Sequence, residues 1–507
     1  MTTFVTTTRP FLMAILWATT LGSMWAQPGT SDADAGSWRM IVLTSPTQVA
    51  VPAPLSVTDP AYRAELDAIK QAQSQITDGQ RQTIDYWSRG GVLRWNEILL
   101  ELVAQANLPP APIADGTYPI PDANNPFADP NFPFANPPYA ARAYSYVSVA
   151  QYEALKVVWY YKYLYNRAAP SRVDSSVQSL RPGPDLPAYP SEDAVLSGVT
   201  SAMLQLLFPT AVEAITLKAA EQRQAALLSG RATASDIAAG LALGQAVANI
   251  VITRARGDGM GAAIGNATLW RSLADQATAR GETPWRSLES PPRPPMLPLF
   301  GRVTPWMMTT ADIVAERPGP PPSTSSPQMA QELAEVRDTL KHLTRRQLGI
   351  AYKWADGVGT PTPPGHWNFI AAPYIADAQF SEVRAARALA LLNMSMQDAA
   401  VACWDVKYAY FNPRPSQLDR SIRTAVGLPN FPAYISGHST FSAAAAEVLS
   451  YLFPSGAASF DADKEEASIS RLYAGIHYRS DLEVGKAHGK RIAGYTVQEA
   501  KKDGADK

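Results

Sequence analysis

The chain has 507 residues, 46% of them hydrophobic, enough to build one large core or two. Lys and Arg (44) nearly balance Asp and Glu (45), and a formal charge of −1 excludes a basic surface for nucleic acid or anionic lipid. A single cysteine, Cys403, excludes an intramolecular disulfide.

At the N-terminus, Arg9-Pro10 precedes an apolar run from Phe11 to Trp25, with Ala26 as the last residue before an expected cleavage and polar Gln27-Pro28-Gly29 beyond it. The run is short and threonine-rich for a membrane span, and no later stretch reaches the ~20 apolar residues a span needs. Residues 1–26 are therefore expected to be an export signal, and the mature protein to be soluble, in the periplasm or outside the cell.

Apolar residues at helical spacing predict helices over 193–208, 211–228 and 235–254, then over 328–352, 381–408 and 481–500. Strand-like alternation is scarce. The 43 prolines gather at 109–138, 168–190 and 284–328. The expectation is an all-α protein: an N-terminal bundle at 27–283, a Pro-rich connection at 284–328 and a C-terminal bundle at 329–507. Cys403 reads as a buried small apolar residue, and His342 and His488 read as surface helix residues.

Three strings near the C-terminus carry chemistry. Lys407 lies late in a helix, and Pro413 and Pro415 place Arg414 on the extended chain that follows. Ser436 precedes a helix through the alanine run Ala443–Ala446, so it reads as the N-cap or the residue before it, with the Gly437 amide aimed at an anion and His438 beside it. Arg471 precedes His477 and Asp481, whose separation of four puts both on one helical face, where Asp481 can hold one ring nitrogen and leave the other for a ligand. Each string alone is ordinary. Together they supply three permanent cations, two imidazoles and a helix start, the groups needed to hold a tetrahedral oxyanion and react with it.

The strings resemble the signature of the superfamily that joins type 2 phosphatidic acid phosphatases, bacterial acid phosphatases and vanadium-dependent haloperoxidases: Lys-x6-Arg-Pro, Pro-Ser-Gly-His and Ser-Arg-x5-His-x3-Asp. Ile435 stands where the family usually has the proline. The resemblance implies that Lys407, Arg414 and Arg471 neutralise the equatorial oxygens of the guest, with hydrogen bonds from Ser436 and the Gly437 amide. It implies that His477 bonds to the central atom, supported by Asp481, and that His438 is the acid–base on the opposite side. Asp356, in Trp354-Ala355-Asp356-Gly357, resembles a family aspartate that pairs with an arginine, and His366 nearby is a candidate pocket residue.

Phosphate and vanadate share charge and shape, so the strings leave two chemistries open, with a non-catalytic oxyanion binder a remote third. Trp404 and Phe431 stand at the offsets found in fungal-type vanadium chloroperoxidases, three before the lysine and seven before the histidine, and suggest a substrate pocket, although either could be core packing. The resemblance then implies a haloperoxidase with vanadate as cofactor and hydrogen peroxide, halide and a small organic acceptor as partners, compatible with a homodimer. The alternative is a secreted acid phosphatase.

A shift of 245 superposes Trp159 on Trp404, Lys162 on Lys407, Ser191 on Ser436 and Asp236 on Asp481. A constant offset over about 100 residues means a duplicated unit. At the positions of Arg414, Gly437, His438, Arg471 and His477 the first copy has Ala169, Glu192, Asp193, Ala226 and Ala232. It is expected to be silent, and the two helical bundles to be related by a pseudo-two-fold axis.

Overall fold

The computed structural model describes residues 31–108, 137–181, 183, 186–288 and 292–506. The expected leader and most of the Pro-rich stretch at 109–138 lie outside the described residues. All regular structure among the described residues is helical. The first copy comprises α1 (Pro60–Ser74), α2 (Asp78–Trp87), α3 (Gly91–Ala106), α4 (Pro137–Tyr165), α5 (Pro170–Val173), α6 (Glu192–Leu207), α7 (Val212–Leu228) and α8 (Ala234–Gly257). Two short helices, α9 (Ala267–Ala279) and α10 (Thr310–Ala315), lie in and beside the connection. The second copy comprises α11 (Pro327–Lys341), α12 (Arg345–Lys353), α13 (Thr362–Asp377), α14 (Glu382–Tyr410), α15 (Pro415–Leu418), α16 (Gly437–Leu452), α17 (Ala457–Tyr473) and α18 (Arg479–Ala500).

The duplication is visible helix by helix. α4 and α14 have 29 residues each, α6 and α16 have 16, and α7 and α17 have 17, all at the same shift. It also reaches further upstream than the sequence revealed. α1 and α11 are both 15 residues with proline in the first turn, and α2 and α12 both open on a Thr–Gln capping box, Thr77 with Gln80 and Thr344 with Gln347. The expected single helix over 328–352 is thus two, because Thr344 starts a new cap after the chain leaves α11 at His342.

α4 and α14 pack against each other at the centre. Both are apolar or small around almost their whole circumference, as a helix buried on every side must be. Each carries one buried carboxylate that grips a passing strap of chain. Glu153 accepts the backbone N–H groups of Ile41, Val42 and Leu43 at 2.8–3.0 Å, and Asp398, its equivalent, accepts those of Trp306 and Met307 at 2.7 and 2.8 Å. Lys156 neutralises Glu153 at 2.6 Å. Asp398 has no such partner among the described residues, and burial pushes its carboxyl up to about 7.

α16 crosses α18 where Gly489 sits over Thr440, as α6 crosses α8 at Gly244. A Cβ on Gly489 would lie 2.1 Å from the Thr440 carbonyl oxygen, so only glycine lets the helices approach. Gly489→Ala should therefore cost about 3 kcal/mol. Urea denaturation measures it, and an unchanged midpoint would contradict this account of the crossing.

Two expectations are corrected. His488 is buried, not on the surface, because it shares a face of α18 with Ile492 and Thr496 that turns inward. Among the described residues one helix, Ala234–Ala262, is long and apolar enough by length and composition to cross a membrane, whereas the sequence reading found none after the leader. That helix packs on α6 and α4 and carries the buried Asp236.

Candidate active site

The three strings converge. Lys407 lies in the last turn of α14, α15 begins after Arg414, α16 begins after Ser436, Arg471 lies in the last turn of α17 and α18 begins just after His477. Ser436 is the N-cap of α16: its Oγ accepts the Ser439 N–H at 3.3 Å, which leaves its own O–H free to donate. The Gly437 amide is then one of the free donors of the first turn.

His477 and Asp481 meet, but not across a helical face. His477 precedes α18, and Asp481 in its first turn reaches back to the Tyr478 N–H at 3.2 Å and to His477 Nδ1 at 2.7 Å. This fixes the tautomer. Nδ1 carries the proton for the carboxylate, and Nε2 turns its lone pair to Arg414 Nη1 at 2.9 Å, a group that can only donate. Burial, then the charges of Arg414 and Lys407, hold the imidazole well below its ordinary pKa, so it is neutral.

The cations are equally enclosed. Arg414 donates from Nε to the Phe431 carbonyl at 3.0 Å and from Nη1 to the Ile476 carbonyl at 2.9 Å, while its buried Nη2 has no partner among the described residues. Arg471 is anchored through Nε to Ser470 and through Nη2 to the Ala351 carbonyl. Lys407 spends its hydrogens differently from the expectation. It donates to the carbonyls of Pro432, Ala433 and Ile435 and so holds the chain that leads into Ser436. Burial lowers the pKa of all three, Lys407 to about 7 and Arg414 and Arg471 to about 10, although the three carbonyls around Lys407 take the three hydrogens of an ammonium. All three act through space on the buried His477, and desolvated cations gathered in this way are stabilised by any multiply charged anion that joins them.

His438 faces a carboxylate. Its Nε2 lies 3.4 Å from Asp356 Oδ2, and Asp356 Oδ1 accepts Nδ1 of His366 at 3.0 Å. Asp356 was expected to pair with an arginine. Its described ion pairs are instead with two imidazoles, and Arg471 acts on it only through space. The histidines hold the Asp356 carboxyl well below the carboxylate range against burial, while burial and then Arg471 push His438 down to about 4. The loop carrying Asp356 is tied to the first copy, where the Asn107 carboxamide donates to the carbonyls of Gly357 and Thr360 at 2.9 and 3.0 Å.

Trp404 and Phe431 do not form an open wall. Trp404 is fully buried with its indole on the Met296 carbonyl, and Phe431 lies 5.1 Å from the Lys407 ammonium and 5.0 Å from the Arg414 guanidinium. The ring backs the cations, a role that the offsets in the sequence could not separate from substrate contact.

The first copy shows what the second leaves open. A small cavity there is lined by Lys162, Ala169, Ser191, Glu192, Asp193 and Ala232, the equivalents of Lys407, Arg414, Ser436, Gly437, His438 and His477. Glu192 puts its carboxylate 3.1 Å from Lys162, and Asp193 pairs with Arg181 at 2.8 Å. A Cβ on Gly437 would meet nothing nearer than Phe441 at 3.6 Å, so the protein's own packing does not require glycine there. The missing side chain leaves the space that a carboxylate fills in the silent copy. With Arg414 Nη2 unpartnered among the described residues and His477 Nε2 met by Arg414 Nη1 alone, that space fits a tetrahedral oxyanion such as vanadate or phosphate.

Residues 386–503 match the family model of the PAP2 superfamily. The fold resembles that of a bacterial vanadium-dependent iodoperoxidase, with a TM-score of 0.54 and 22% identity over 72% of this chain and 91% of that one. It also resembles a holo-type bacterial vanadium-dependent chloroperoxidase, with a TM-score of 0.52 and 13% identity over 76% and 96% of the two chains. No curated protein matches the sequence. By its motif and its domain match, the segment 386–503 that carries this site belongs to the PAP2 superfamily.

Proposed function

We propose that the protein is an exported, vanadate-dependent haloperoxidase that uses hydrogen peroxide to oxidise halide and so halogenate a small organic acceptor. The observation that carries the oxyanion site is the neutral His477, its Nε2 turned to the Arg414 guanidinium, amid buried cations and the room that the absent side chain of Gly437 leaves. Bound vanadate would supply a Lewis-acidic centre at which peroxide is activated. His477 would ligate it, Arg414 and Arg471 would balance its charge, and the Ser436 hydroxyl and Gly437 amide would orient its oxygens. His438, neutral at rest, first accepts a proton from the incoming peroxide and later returns it.

Support for peroxidase over phosphatase comes from the doubled architecture, shared over most of their length with two haloperoxidases. The same donor set would serve a phosphomonoesterase, with His477 attacking phosphorus and His438 protonating the leaving oxygen. A paired assay on one preparation decides. Bromination of a dye should begin only when vanadate is added, and release of nitrophenol from its phosphate ester should be negligible. Ester turnover without halogenation would reverse the assignment.

A further inference from the structure

Four residues stand behind His438 that lie outside the three strings. The His366 ring lies flat on Trp354, with centroids 4.2 Å apart and planes 19° apart, and Trp354 is itself fixed by an indole hydrogen bond to Glu466 at 3.0 Å. From that seat His366 Nδ1 meets Asp356 Oδ1 at 3.0 Å. Asp356 has a left-handed backbone, with φ of 45°, which turns its second oxygen towards α16. That oxygen and His438 Nε2 are both buried, neither has another partner among the described residues, and they lie 3.4 Å apart. Two orphaned polar atoms facing each other are a hydrogen bond waiting for a few tenths of an ångström.

We propose that His366 is a positioning residue for His438, acting through Asp356. The His366 Nδ1–H pins one carboxylate oxygen. The other then holds the proton of His438 on Nε2, and Nδ1 is left as the only nitrogen that can exchange a proton with a bound oxyanion and its partner. The inference rests on His438 being the acid–base group, which both the peroxidase and the phosphatase reading require. It adds a third imidazole to the working set and gives the stacked Trp354 a purpose, to keep the His366 ring from rotating out of line.

The chain has five histidines, so in full-length protein labelled with 15N-histidine each ring can be assigned by single substitution. Long-range 1H–15N correlations then report the tautomer of His438 without any guest bound. The wild type should show one form, protonated at Nε2. His366→Ala should show both forms and lose about tenfold in kcat with KM unchanged. His366→Asn, whose amide can donate from the place of Nδ1, should restore the single form and most of kcat. If the alanine variant does not fold, His366→Gln, with its donor at the wrong place, should show the same mixture. A His438 protonated at Nδ1 in the wild type, a tautomer indifferent to His366→Ala or Gln, or no recovery in His366→Asn would overturn the proposal. A protein that behaves as expected in this experiment yet brominates nothing would sink the functional reading and leave this one standing.

Discussion

His477→Ala should lower turnover at least about a thousandfold, whichever oxyanion the site serves. The imidazole is held neutral among the buried cations, and its orientation is set from both sides, by Asp481 at Nδ1 and Arg414 at Nε2. Its loss also leaves Asp481 Oδ2 and Arg414 Nη1 each one partner short in a buried place, at a cost to stability of about 1–3 kcal/mol. Equilibrium dialysis of orthovanadate against the variant should show binding lost, with the circular dichroism of the native fold retained. Retained bromination would mean that the oxyanion is held elsewhere.

Gly437→Glu should have a comparable effect on binding for the opposite reason. It would rebuild in the second copy what Glu192 does in the first, a carboxylate set against the buried lysine at 3.1 Å. The fold has room for the first atom of the new side chain, so thermal stability should hold. Oxyanion affinity should fall more than about a hundredfold, because the intruding charge takes the place of the guest and repels it at short range. Gly437→Ala is the milder control, with an unchanged melting temperature and a partial loss of activity. Tight vanadate binding by the glutamate variant would show that the cradle lies elsewhere.

Much of this site was legible in the sequence because it is built from rare residues at fixed spacing on helix ends. Lys407, Arg414, Ser436, Arg471 and His477 each sit where an α-helix starts or stops, and starts and stops leave marks in a sequence. Other features left none. The upstream extent of the duplication was hidden because the chain between α3 and α4 is far longer than the one between α13 and α14, which breaks the constant shift. His488 misled because a lone histidine among charged neighbours looks exposed until the helix is rotated into place. The pairing of Asp356 with His366 and His438 depends on one left-handed residue and one ring stack, neither of which has a period.

The bond from Asn107 to the loop of Asp356 crosses between the two copies, as does the cap that Glu382 places on the Gly91 and Val92 amides at the start of α3. The first copy therefore has an architectural duty, since it holds the floor on which Asp356 and the two histidines beside it stand. A chain trimmed to the motif-bearing half would keep all three strings and lack the brace that fixes the loop of Asp356.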